Sequence, residues 1–93
     1  MLIGTLIIDL YLPNCNSLKE KRSILKRIKD RIRNAFNVSV SELDDHDVWR
    51  RAQLGIACIS SDGKDANSTL SRIVNFVEAE GLVEILDYKI NFL

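Results

Sequence analysis

The chain reads as one α+β domain with elements in the order strand, helix, strand, strand, helix, strand. Three observations carry that reading. Apolar spacing switches between period two and period 3.6 along the 93 residues. Turn-forming residues mark each switch. The pattern also divides into two β-α-β halves of about forty-five residues each. Short, right-handed connections then favour a four-stranded antiparallel sheet of order 4-1-3-2 with both helices on one face, a ferredoxin-like plait spanning residues 1–93.

Residues 2–12 alternate as a strand, with Leu6, Ile8, Leu10 and Leu12 on one face and Thr5, Ile7, Asp9 and Tyr11 on the other. Pro13, Asn14, Cys15 and Asn16 break it with turn chemistry. Ser17 opens a helix as the first residue of a capping box: its hydroxyl takes the amide three residues on, and Glu20 reaches back. Leu18, Ile24, Leu25, Ile28, Ile32, Ala35 and Phe36 then fill one arc of the helix, which runs to about Ala35. Lys21 falls inside that arc, where its stem is expected on the core edge and its amine in water. Asn37 to Leu43 reads as a second strand with Val38 and Val40 facing in, followed by an acidic loop from Glu42 to Asp47. Ala52 to Ser60 alternates as a third strand. Ser60, Ser61, Asp62 and Gly63 supply a turn and helix caps. Ala66, Leu70, Ile73, Val74 and Val77 define a second helix that Gly81 ends as a left-handed cap. Leu82 to Phe92 completes the sheet, with Leu86, Tyr88, Ile90 and Phe92 on one side.

Ninety-three residues with 46% hydrophobic content and one proline suffice for a compact core and argue against disorder. They leave little room for an additional catalytic domain. No apolar run approaches the ~20 residues that span a bilayer. The opening MLIGTLIIDLYL lacks a charged leader segment and a small-residue cleavage site, and Asp9 interrupts it, so it reads as a buried strand. Cys15 and Cys58 lack metal-ligand spacing; reduced thiols in a cytoplasmic protein are expected, with Cys58 a small core residue.

The charge distribution points to function. The chain is formally neutral, yet eight of its thirteen basic residues lie between Ser17 and Arg33, against two acids there. On the helical wheel Arg22, Lys26, Lys29 and Arg33 form a ridge beside the apolar stripe, with Lys19 near it, while Arg27 and Arg31 fall on the far solvent face. Only Asp30 is spaced to pair within the helix, with Lys26 or Arg33. The ridge, ~16 Å long at 1.5 Å per residue, suits a phosphate backbone read by charge and shape. The competing reading is a solvated face whose charges pair with acids elsewhere, such as those of the second helix. RNA stacking on the sheet is disfavoured, because the third strand has no aromatic residue and Tyr11 stands alone on the first.

Other constellations are weaker. Glu42, Asp44, Asp45, His46 and Asp47 gather ligand-type side chains, but their spacing matches no calcium loop and one histidine is thin support for zinc, so a solvated hairpin loop is expected and no metal is assigned. Trp49 is expected to pack that loop against the sheet edge, its alternative being an exposed contact residue. No G-x-S-x-G, phosphate-binding loop, H-E-x-x-H or C-x-x-C occurs, and no catalytic residue or cofactor is assigned. The acylphosphatase analogy fails because the turn after the first strand lacks glycine. The sheet face opposite the helices is expected to show Ile7, Tyr11, Ala57, Ile59 and Ile85 among polar residues, an association surface suited to a homodimer with Ile7, Tyr11, Ile59 and Ile85 as its candidate contacts.

Gly4 to Pro13 (G-x-L-x-x-D-L-x-L-P), Ser17 to Arg22 (SLKEKR), Phe36 to Glu42 (FNVSVSE) and Trp49 followed by Ala52-x-Leu54-Gly55 resemble the YlxP-like family of small bacterial proteins, domain of unknown function family 503. The resemblance covers nearly the whole chain. It implies a ferredoxin-like plait and brings no accepted catalytic residues. Members are often encoded among genes for translation initiation and ribosome maturation, which implies an RNA or ribosome partner by association.

The expected function is a non-enzymatic cytoplasmic binding module contacting structured RNA or a ribosomal particle through Lys19, Arg22, Lys26, Lys29 and Arg33, with no membrane and no small-molecule substrate. The alternative is a protein-interaction module that self-associates through its sheet and meets an acidic partner through the ridge. A third reading is a small-ligand or metal-dependent enzyme using loop 42–47.

Overall fold

The structure, a computed structural model, describes residues 1–44 and 47–93. Its elements are β1 (Leu2–Tyr11), α1 (Leu18–Ala35), β2 (Ser39–Asp44), β3 (Arg51–Ser60), α2 (Gly63–Ala79) and β4 (Glu84–Phe92). The strands form one antiparallel sheet of order β2-β3-β1-β4, so the expected plait is the observed one. Central β1 is the most apolar strand, and its register against β3 runs unbroken from Leu2↔Ser60 to Tyr11↔Arg51. Both helices lie on the face of Leu6, Ile8, Leu10, Leu54 and Ile56. There Leu25, Ile28 and Ile32 of α1 and Leu70, Ile73 and Val77 of α2 are fully buried or nearly so. Each such side chain contributes roughly 1.5–3 kcal/mol, against about 0–1 kcal/mol for a surface ion pair. Apolar packing therefore sets the fold.

Local chemistry ends the helices as the sequence indicates. Ser17 is extended (φ −160°) and its Oγ accepts the Glu20 amide at 3.1 Å. Glu20 reaches back to the amide of Asn16 at 2.8 Å, one residue upstream of the usual partner. Asp62 caps α2 by accepting the Lys64 amide at 2.9 Å. Gly81, at φ +72°, turns the chain into β4. Cys58 is a core residue, and so is Cys15, which the sequence left unassigned.

Four expectations are corrected. Lys21 does not reach water: it is 1% exposed, within ion-pair distance (3.3 Å) of Glu42. Glu42 accordingly belongs to no loop. β2 extends through it to Asp44, with a register shift between Glu42 and Asp44, and Glu42 faces inward with Val40. Ala35 is exposed, so the helix's buried arc contains a lysine and omits an alanine. Finally, Ile85 is not on the open sheet face. Asp9 pairs with Asp87 but Leu10 pairs with Ile85, and this bulge turns Ile85 to the helix side, where it packs on the core. Among the described residues, no helix is long and apolar enough to cross a membrane.

Candidate nucleic-acid interface

Helix α1 lies over the β2 side of the sheet, tied there by two basic side chains. Lys21 faces Glu42 beneath the helix. The Lys21 Nζ to Glu42 Oε2 contact lacks hydrogen-bond geometry, so it is an ion pair that orients by charge. Near the other end, Arg33 Nη2 donates to the Val40 carbonyl at 2.8 Å. Since β2 pairs with β3 alone, Arg33 also helps to shield an edge strand. These contacts turn the flank bearing Lys19, Arg22, Lys26, Lys29 and Arg33 outward along the β2 edge.

The five ridge residues are not equivalent. Lys26 Nζ bonds Asp30 Oδ2 at 2.8 Å, and Arg33 Nη1 lies 3.6 Å from Asp30 Oδ1. The Lys26 hydrogen bond, opposed by some loss of solvation and joined by the charges of Lys26, Arg33 and Lys29, holds the Asp30 carboxyl below its ordinary 3.8. One carboxylate thus serves two cations. Lys19, Arg22 and Lys29 make no hydrogen bond or ion pair among the described residues; Lys19 and Arg22 are exposed and Lys29 partly so. The flank keeps a clear positive excess of five cations over one acid.

The idea that helix charges pair with acids of the second helix holds at one point. Arg31 binds Glu80 at the end of α2, so Arg31, exposed as expected, also joins the two helices. No ridge residue makes such a pair. Arg72 of α2 lies 5.4 Å from the centroid of the Phe36 ring, a second contact between the helices through the C-terminal end of α1.

At the opposite end, the β2–β3 connection meets the segment that leads into α1. Arg50 is the clamp: its carbonyl accepts the Leu12 amide at 2.9 Å, its Nε donates to the Cys15 carbonyl at 3.0 Å, and its Nη2 donates to Asn16 Oδ1 at 3.2 Å. Sequence reasoning missed this clamp, because nothing local marks Arg50. Trp49 beside it is 51% exposed, so it does not pack the loop down in the way expected. Asp45 and His46, part of the acidic constellation, lie outside the described residues. Among the described residues no three potential metal-ligating side chains converge.

The open sheet face is arranged in rows. Ile59, Ile3 and Leu93 stand abreast at one end, Ile59 and Leu93 being 72% and 79% exposed. Next comes a shallow groove of about 380 Å³, floored by Gly55 and bordered by Ile7, Ala57 and Leu43. Leu43 leans over Gly55 into the space that a side chain there would fill. The far end is polar: Gln53 donates to Asp9 at 2.9 Å, Asp87 lies opposite Asp9, and Tyr11 sits between Arg51 and Glu84. Ile7, Tyr11 and Ile59 thus occupy the face assigned to them. Ile3, Leu43 and Leu93 join them unforeseen, and Ile85 does not.

Residues 3–90 match the model of a family described as a protein of unknown function, DUF503. The chain is 40% identical over 78 residues to an uncharacterised protein YlxP of Bacillus subtilis (strain 168), covering 84% of this chain and 85% of that one. Among solved structures it is similar to a de novo designed ferredoxin-fold protein, LFR1 1 (TM-score 0.57, 16% identity, 100% of this chain and 84% of that one). It is likewise similar to SnoaB, a cofactor-independent oxygenase from Streptomyces nogalater (TM-score 0.55, 10% identity, 98% and 90%). Likeness at such identities concerns the fold alone. The chain belongs to the DUF503 family.

Proposed function

We propose that this member of the DUF503 family is a non-enzymatic cytoplasmic module that binds structured RNA, in isolation or on a ribosomal particle, through the outer flank of α1. The observation that carries the reading is the trio Lys19, Arg22 and Lys29, which make no hydrogen bond or ion pair among the described residues of a chain whose remainder is acidic. Lys26 and Arg33 add charge, but their contacts with Asp30 and Val40 make them partly structural. Contacts of this kind are made to phosphates and carry no sequence information. The acids elsewhere repel polyanions from the other surfaces and so orient docking.

The test is co-sedimentation with ribosomal subunits across a salt series, comparing wild type with a Lys19→Gln/Arg22→Gln/Lys29→Gln variant. Arg33 is left in place so that β2 stays anchored. Salt-sensitive pelleting that the variant loses supports the proposal. Pelleting equal in both proteins, or none at low salt, refutes it.

A second reading rests on the exposed row Ile59, Ile3 and Leu93 beside the Gly55 groove. Its two halves are a knob and a hollow on one face, the self-complementarity that a two-fold dimer needs. Sedimentation equilibrium at high micromolar concentration tests it. The expected dimer becomes monomeric with Ile59→Lys; a wild-type monomer disposes of this reading without touching the first.

A further inference from the structure

An exposed indole is unusual on so small a protein, since a large aromatic side chain normally gains by burying its faces. Trp49 is half exposed and its neighbour Val48 is 45% exposed. Yet the position is not loose. The three Arg50 hydrogen bonds fix the next residue to Leu12, Cys15 and Asn16, and Cys15 is itself buried. Asn16 in turn donates its amide to Glu20 in the capping box of α1. A continuous chain of hydrogen bonds therefore runs from the residue beside Trp49 to the helix turn from which Lys19 and Arg22 project. The β2–β3 connection and the start of α1 meet at one end of the molecule, and the basic flank begins there.

An aromatic face held rigidly beside phosphate-binding cations is how proteins grip an unpaired nucleotide: the cations take the backbone and the ring takes the base. In a continuous duplex the bases are stacked on each other and no base face is offered. We infer that Trp49 stacks an unpaired base, so that the RNA engaged by α1 presents a single-stranded segment, loop or bulge at the N-terminal end of the helix. The inference rests on the helix-flank reading and names the substrate class of that same surface.

Trp49 is the only tryptophan, so intrinsic fluorescence reports this residue alone. The probes are a mixed-sequence 12-nucleotide single-stranded RNA, the same sequence as a perfect duplex, and heparin as a base-free polyanion. Binding is followed independently by anisotropy of end-labelled RNA and, for heparin, by its competition with the labelled duplex. The single strand is expected to quench Trp49, while duplex and heparin bind with little change in emission. Trp49→Ala weakens the single strand between about 5- and 150-fold, the usual loss for one stacked base, and leaves duplex affinity unchanged. Trp49→Phe, which keeps an aromatic face and guards against a folding artefact, retains most of the affinity. Salt-dependent single-strand binding with unchanged emission and an unaffected Trp49→Ala variant overturns the stacking inference and leaves the helix-flank reading standing. Absence of RNA binding by either probe refutes both.

Discussion

Replacing Lys21 with methionine removes an ammonium that is 1% exposed and leaves the Glu42 carboxylate, whose side chain is 17% exposed with one oxygen buried, without the cation 3.3 Å away. Replacing Glu42 with leucine removes the carboxylate that the ammonium faces. Breaking a fully buried pair from one side costs about 3–5 kcal/mol. The residual water access of Glu42 lowers this to roughly 2–4 kcal/mol for Lys21→Met, and Glu42→Leu, which leaves Lys21 a remaining interaction, is expected to cost less. At ~4–8 °C per kcal/mol for a domain of this size, a 3 kcal/mol loss lowers Tm by about 12–24 °C. The double variant places two apolar side chains between α1 and β2 and is expected to be more stable than either single one. Urea unfolding of all four proteins, read by far-ultraviolet circular dichroism, gives the coupling energy. Losses that simply add, to within ~0.5 kcal/mol, would show that Lys21 and Glu42 act separately. The pair would then not be what seats the basic helix.

Two further outcomes follow from single sites. Gly81→Ala adds a methyl group that meets no atom within 4 Å, so its cost is the left-handed backbone alone, about 1–2 kcal/mol in chemical denaturation; a neutral substitution would contradict the cap at the end of α2. Asp30, whose carboxyl is held below its ordinary 3.8, favours the native state above the unfolded-state pKa, and that contribution disappears as pH falls through the lower native value. Asp30→Asn should therefore be less stable than wild type at pH 6, with the difference vanishing in acid below the native pKa. A difference that persists undiminished there would place the effect elsewhere than in this carboxylate.

Features set by neighbours in the chain were legible in the sequence, and those set across the fold were not. Strand β1, the Ser17–Glu20 box and the Gly81 stop depend on residues within a few positions, and each stands where the sequence puts it. Lys21 was misplaced because lysine is rarely buried, although two signals were available: it falls inside the apolar arc, and Glu42 continues the inward alternation of Val38 and Val40. Ile85 was misplaced because one phase of alternation was carried through the whole last strand. The apolar residues in fact change phase between Ile85 and Leu86, the mark of a bulge. Arg31 with Glu80, Arg33 with Val40 and Arg50 with Cys15 and Asn16 join distant segments by side chains that look alike in sequence. As a result the ridge appeared as a uniform row. The fold divides it into partly structural cations and three that make no hydrogen bond or ion pair among the described residues.

The most direct test of the helix flank is the salt dependence of affinity for a labelled RNA stem–loop, measured by anisotropy for wild type and for the Lys19→Gln/Arg22→Gln/Lys29→Gln variant. With three to five phosphate contacts, log K should fall against log salt with a slope of roughly −2 to −4.5. Removing the three outward cations should reduce that slope by roughly 0.7–0.9 per residue and weaken binding at low salt. Equal slopes and equal affinities in the two proteins would contradict the claim that this flank of α1 is where the protein meets RNA.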